Sequence, residues 1–114
     1  MSPEDIAAIA YLTPKPGREG DCIKLAKEMM QSTWAEDEGC ICYYFYQRQD
    51  NPNEWVFHER WKDWDSANAH LQRLSRVYGP ADEKLPWCPA AIREPWEKFE
   101  FVGLTPVAQQ NKGA

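Results

Sequence analysis

The stretch GCICYYFYQR, residues 39–48, decides how this chain must fold. Read as a strand, it points Cys42, Tyr44 and Tyr46 one way and Ile41, Tyr43 and Phe45 the other, so neither side is built for water. An antiparallel strand with one wet side alternates apolar and polar residues. This one needs cover on both faces, and the rest of the chain has to supply it or leave one face for a partner.

Upstream, IAAIAYL at 6–12 reads as a first strand, ended by the Pro- and Gly-containing TPKPG at 13–17. From Glu19 to Trp34 the spacing turns helical, with Ile23, Ala26, Met30 and Trp34 forming the expected apolar stripe. Glu38 and Gly39 break that helix. Downstream, QDNPN at 49–53 is a turn cluster, so strands two and three form a hairpin, with strand three at EWVFHERW, 54–61. Strand three sets Trp55, Phe57 and Trp61 on one face and Val56 on the other.

A second helix follows over KDWDSANAHLQRLSRVY, 62–78, with a stripe of Trp64, Ala67, Leu71 and Leu74 and with Asp65 or Asp63 as its cap. Residues 79–95, GPADEKLPWCPAAIREP, hold four prolines together with Leu85, Trp87, Cys88 and Ile92, which predicts an irregular loop folded back on the body. WEKFEFVGL at 96–104 is the fourth strand, within a domain spanning 1–105, and 106–114 read as a polar tail.

The order β-α-β-β-α-β predicts an α+β, ferredoxin-like four-stranded antiparallel sheet with both helices on one face. Two helices roof only one side. Wetting several hundred square ångströms of the other would cost on the order of 10 kcal/mol, more than a small domain can lose. The expected partner is a second copy, packed sheet to sheet; the alternative is that the 79–95 loop covers the bare face.

Length and composition limit the rest. With 114 residues, 43% hydrophobic and 13% aromatic, the chain makes one compact domain. The net charge of −5 is scattered, so nothing resembles a phosphate-binding stripe, and nucleic acid is not an expected partner. No run approaches the roughly 20 apolar residues of a membrane helix, and MSPEDIAAIAYL does not read as a secretory signal, so the expected setting is the cytoplasm, away from the membrane. Cys22, Cys40, Cys42 and Cys88 match no zinc spacing and read as reduced thiols, Cys40 and Cys42 side by side on one face.

Phosphate loops, nucleophile elbows and metal-ligand clusters are missing from the sequence. The chemistry-bearing side chains concentrate in HERWKDWDSANAHL, 58–71. His70 falls at the border of the second helix's stripe, looking between helix and sheet without being fully interred; there it either moves a proton or simply bonds a backbone carbonyl. Glu59, flanked by Phe57 and Trp61, is either a buried carboxyl with a raised pKa or half of an ion pair. His58 falls on the opposite face with Val56 and Arg60. The rings of Trp61, Trp64 and Tyr44 are core residues or the walls of an apolar slot for an aromatic ligand.

The pattern resembles the antibiotic biosynthesis monooxygenase family of small dimeric α+β barrels. The resemblance rests on Pro16-Gly17 after strand one, E-G-C-x-x-Y at Glu38, Gly39, Cys40 and Tyr43, E-x-W at Glu59 and Trp61, and A-H at Ala69 and His70, nine residues beyond Trp61. It implies a homodimer with a pocket in each subunit and a cofactor-independent oxygenation of a quinol, anthrone or similar phenol by molecular oxygen, without metal or flavin. In that scheme His70 accepts the proton, Glu59 orients or tunes it, and Trp61, Trp64 and Tyr44 shape the slot. Haem-degrading relatives carry an Asn, a Trp and a haem-ligating His that fall near Ala10, His70 and Pro80, and none of the three is present here. The Pro-rich 79–95 passage departs from the family pattern and reads as a lid or a dimer contact. A non-catalytic small-molecule-binding barrel is the alternative, and an isomerase or decarboxylase on a related barrel is a third.

Overall fold

The computed structural model describes residues 6–107. Its elements run β1 (Ile6–Pro14), α1 (Glu19–Glu36), β2 (Cys40–Gln47), β3 (Trp55–Trp61), α2 (Trp64–Tyr78), a one-turn α3 (Ala90–Arg93) and β4 (Trp96–Leu104). The four strands pair antiparallel in the order β2-β3-β1-β4, the ferredoxin-like arrangement. The polar tail expected at 106–114 lies largely outside the described residues, as does the extreme N-terminus.

Register sorts the side chains by face, because directly opposed residues share one. On the inner face Phe45, Phe57, Ala10 and Phe101 form one row across the four strands, and Tyr43, Glu59, Ala8 and Gly103 form the next. On the outer face the rows are Tyr46, Val56, Tyr11 and Glu100, then Tyr44, His58, Ile9 and Val102. The inner rows join Cys22, Ala26 and Met29 of α1 and Ala67 and Leu74 of α2 in one buried cluster, so both helices lie on the inner face. The hairpin closes at the predicted turn, where the Glu54 N–H donates to Asn51 O and the Arg48 N–H to Glu54 O.

Four expectations need correcting. The buried stripe of α1 is Cys22, Ala26, Met29 and Thr33, one step round from Ile23, Met30 and Trp34. Trp34 is pulled to the rim because its indole N–H donates to Tyr43 O, 3.0 Å away at the sheet edge. In α2 the buried positions are Ala67, His70 and Leu74; Trp64 occupies the first helical position and is 63% exposed. Asp63 caps that helix, accepting from the Ser66 N–H at 2.8 Å.

Cys40 and Cys42 do not share a face. A bulge between them sets Cys40 opposite Trp61 on the inner side and Cys42 opposite Arg60 on the outer, which leaves Ile41 exposed. Strand β1 also runs one turn signal further than expected, to Pro14, at a register shift where its missing N–H is not needed.

The 79–95 loop covers the inner side of the molecule. It is laced to itself by a bridge between Ala81 and Pro89, by the Asp82 N–H donating to Cys88 O at 2.7 Å, and by the Ala90 N–H donating to Pro80 O at 2.9 Å. Its own Cys88, Pro89 and Ile92 are buried against the body on that side, so the outer face of the sheet keeps no cover within the described chain.

Candidate functional site

Between sheet, helices and loop lies a cavity of about 50 Å³. It exists because β1 offers only Ala8 and Ala10 where β3 presents Glu59 and Phe57. The floor is Ala10, Tyr43, Phe57 and Glu59, the helical side is Met29, His70 and Leu74, and the roof is Trp87, Cys88, Pro89 and Ile92.

Besides the Tyr43 hydroxyl and the Cys88 thiol, both pushed up by burial, a carboxyl and an imidazole line this largely apolar space. Burial pushes the Glu59 carboxyl up to about 7, while the hydrogen bond it accepts from the Trp61 indole N–H pulls back. No cation offsets that burial among the causes of its shift. A carboxyl in such a setting sits where a proton is gained or lost at ordinary pH.

His70 is only 2% exposed, more deeply interred than its border position in the stripe predicts. Its ring lies 4.6 Å from Trp61 and 5.1 Å from Tyr43, centroid to centroid. The Nδ1 atom is 2.7 Å from Asp37 Oδ2, and Arg73 grips the same carboxylate, Nε to Oδ1 and Nη2 to Oδ2, both at 2.8 Å. Burial alone would raise the Asp37 carboxyl, but Arg73 and His70 outweigh it and hold it below its ordinary value. An ionised carboxylate only accepts, so Nδ1 carries the imidazole proton and Nε2 is left basic. Burial depresses the His70 pKa and Asp37 pulls the other way, the net direction being downward. Thus His70 is a neutral, fixed tautomer at neutral pH.

Of the residues expected at the site, Glu59 and His70 come together at one cavity. Trp61, 1% exposed, stands behind them, bonding one and flanking the other instead of lining the space. Trp64 and Tyr44 are misplaced in the slot expected from the sequence. The first is exposed at the helix start, and the second, 42% exposed, lies on the opposite face of the sheet because strand alternation separates it from Tyr43. Asp37 and Arg73 went unrecognised in the sequence. Arg73 could have been found, since three residues after His70 is the same helical face; Asp37 comes from 33 residues away and is brought in only by topology.

A ferredoxin-like α+β domain with a carboxyl and a histidine lining one largely apolar cavity is thereby defined. Residues 5–75 match the family described as antibiotic biosynthesis monooxygenase, and the chain belongs to that family. Among solved structures, Rv0793 from Mycobacterium tuberculosis is 21% identical, over 94% of this chain and 99% of that one, with a TM-score of 0.69. SnoaB, a cofactor-independent oxygenase from Streptomyces nogalater solved as a mutant, is 15% identical over 93% and 96%, with a TM-score of 0.68. A conserved protein from Methanosarcina mazei Go1 is 24% identical over 90% and 92%, at 0.66. At such identities these likenesses speak for the fold. No curated protein sequence matches the chain.

Proposed function

We propose that the protein is a cofactor-independent monooxygenase that oxidises an aromatic quinol, anthrone or similar phenolic compound with molecular oxygen, as a cytoplasmic homodimer. The observation that carries this reading is Glu59: a carboxyl with its pKa near 7 on the wall of an apolar cavity, beside a histidine whose tautomer is fixed. Family membership and the likeness in fold to a cofactor-independent oxygenase support it.

Glu59 takes the acidic proton of an anthrone-like carbon acid, and the carbanion is held where water cannot re-protonate it. One electron passes from the anion to dioxygen, giving a substrate radical and superoxide. Their recombination forms the carbon–oxygen bond of a peroxide anion, to which Glu59 returns the proton. The hydroperoxide then loses water, its O–O bond breaking as the remaining hydrogen on that carbon leaves as a proton, and the quinone carbonyl remains. One oxygen atom ends in product and one in water, and the substrate supplies all the electrons. His70, with Nε2 unprotonated, accepts a hydrogen bond from a phenolic O–H of the substrate and orients it. These roles exchange those expected from the sequence, because Glu59 lacks the counter-charge that Asp37 gives His70.

The homodimer draws support from the outer sheet face, where Tyr11, Tyr44, Tyr46, Val102 and Leu104 are each about two-fifths or more exposed. The cytoplasmic setting is supported by four cysteines that are all free thiols.

The test is oxygen uptake in air with 1,8-dihydroxyanthrone, followed alongside quinone absorbance. One quinone per oxygen consumed, falling about a hundredfold or more in Glu59→Gln, is the expected result; no uptake above the uncatalysed rate overturns it. A second reading is a non-catalytic small-molecule-binding barrel, favoured by the largely apolar lining of the cavity. Thermal stabilisation by the same compound without turnover identifies it.

A further inference from the structure

We propose that residues 79–95 form a gate that must move before an aromatic ring can enter, and that Trp87 limits the rate of entry. The inference rests on the reading of the cavity as an aromatic-substrate site. It starts from a mismatch of volumes. The cavity is partly open and measures about 50 Å³, whereas an apolar cavity of about 150 Å³ is what holds a single benzene.

Three sides of the cavity cannot yield readily. The floor belongs to strands whose ladders run the length of the sheet, and the helical side to two continuous helices of 18 and 15 residues. The roof is different. Trp87, Cys88, Pro89 and Ile92 all come from one segment, and that segment's backbone bonds are largely internal: Asp82 with Cys88, Leu85 with Asp82, Cys88 with Leu85 and Ala90 with Pro80. It can therefore move as a body without breaking its own hydrogen bonds.

Its two ends differ. At the C-terminal end Pro95 O accepts from the Lys15 N–H at 2.9 Å, the Arg93 guanidinium donates to Trp96 O at 2.6 Å, and Glu94 pairs with Lys15 and Arg18 on the surface. At the N-terminal end Gly79 sits at φ 96°, a conformation open to glycine, with nothing near the place of a side chain. Gly79 is the pivot and Pro95 the anchor.

Cys88 and Ile92 seat the segment in the buried cluster, and on its solvent side the closure is held by one ring. Trp87 packs at 4.5 Å from Phe101 and 6.4 Å from Phe99, centroid to centroid, while remaining 37% exposed. Lifting it opens the outer edge of the roof, beside Cys88, Pro89 and Ile92, and costs a contact already open to water on one side.

The experiment is stopped-flow tryptophan fluorescence with 1-naphthol as probe, on wild type, Trp87→Phe and Trp87→Ala, each checked for native circular dichroism. For wild type the observed rate should level off with rising 1-naphthol, since opening limits entry; in Trp87→Ala it should climb linearly and exceed wild type by about tenfold at high probe. Trp87→Phe, retaining an aromatic contact with Phe101, should fall between and keeps the test sound if the alanine variant misfolds. Equal rates that rise linearly in all three proteins, or failure of wild type and variants alike to bind 1-naphthol, overturn the gate. Gated binding without oxygen uptake on the anthrone leaves the gate standing and removes the oxygenase reading alone.

Discussion

At the scale of single residues, the site depends on two carboxyls treated in opposite ways. Asp37 is buried with Arg73 and stays charged; Glu59 is buried without such a partner and holds its proton up to about pH 7. Because the folded chain binds that proton more tightly than the unfolded one, Glu59 costs stability as pH rises from 4.5 towards 7. At about 1.4 kcal/mol for each pH unit, that amounts to about 3 kcal/mol. The variant Glu59→Gln is thus expected to gain stability relative to wild type as pH goes from 4.5 to 8, measured by urea unfolding at each pH. A difference that does not change with pH contradicts the raised carboxyl.

His70 runs the other way. Its folded pKa is depressed, so its contribution is present above about 6.5 and fades as pH falls below that value. Asp37→Asn removes the group that pulls the His70 pKa up and leaves Arg73 uncompensated. It should lower the His70 pKa further, seen in the ring proton shifts by NMR, and cost about 2–3 kcal/mol. An unmoved His70 titration shows that Asp37 does not set its tautomer.

Among the elements, the junction of α1 and β2 carries a tight constraint. Gly39 sits at φ 81°, and a Cβ there runs into the side chain of Ser66 at the start of α2. Gly39→Ala is expected to destabilise by about 2 kcal/mol, read from the midpoint of urea unfolding. A variant as stable as wild type shows that the turn has room to relax. That glycine falls in the E-G-C stretch, where the sequence already marks the end of a helix.

Elements were legible in the sequence because each carries its own local pattern. The period-2 run at 39–48, the turn cluster at 49–53 and the capped helix after Asp63 are decided within a few residues. What failed was rotation and offset. Trp64 looked like core by spacing, yet stands exposed at the first helical position, and Cys40 and Cys42 are parted by a bulge that no local pattern records. The roof formed by 79–95 was visible as an apolar, Pro-rich oddity; its place over the cavity depends on where β4 lies, which only the assembled sheet determines.

At the scale of the whole molecule, a chain with one pair of helices leaves one sheet face open. Ile9 lies at the centre of that face, with His58 and Val102 as neighbours. If two copies meet there, Ile9→Arg should shift the sedimentation coefficient from that of a dimer to that of a monomer at micromolar concentration, since a buried unpaired charge is costly. A wild-type monomer, or a dimer indifferent to the substitution, contradicts sheet-to-sheet pairing.

The proton that Glu59 exchanges is central to everything proposed about chemistry here. It is tested most directly by the pH dependence of kcat/KM for oxygen uptake on 1,8-dihydroxyanthrone. Activity that rises with an apparent pKa of about 7 in wild type, and is lost in Glu59→Gln, is the predicted result. Undiminished uptake in Glu59→Gln, or a limb that titrates below 6.5 and vanishes in His70→Ala instead, contradicts it.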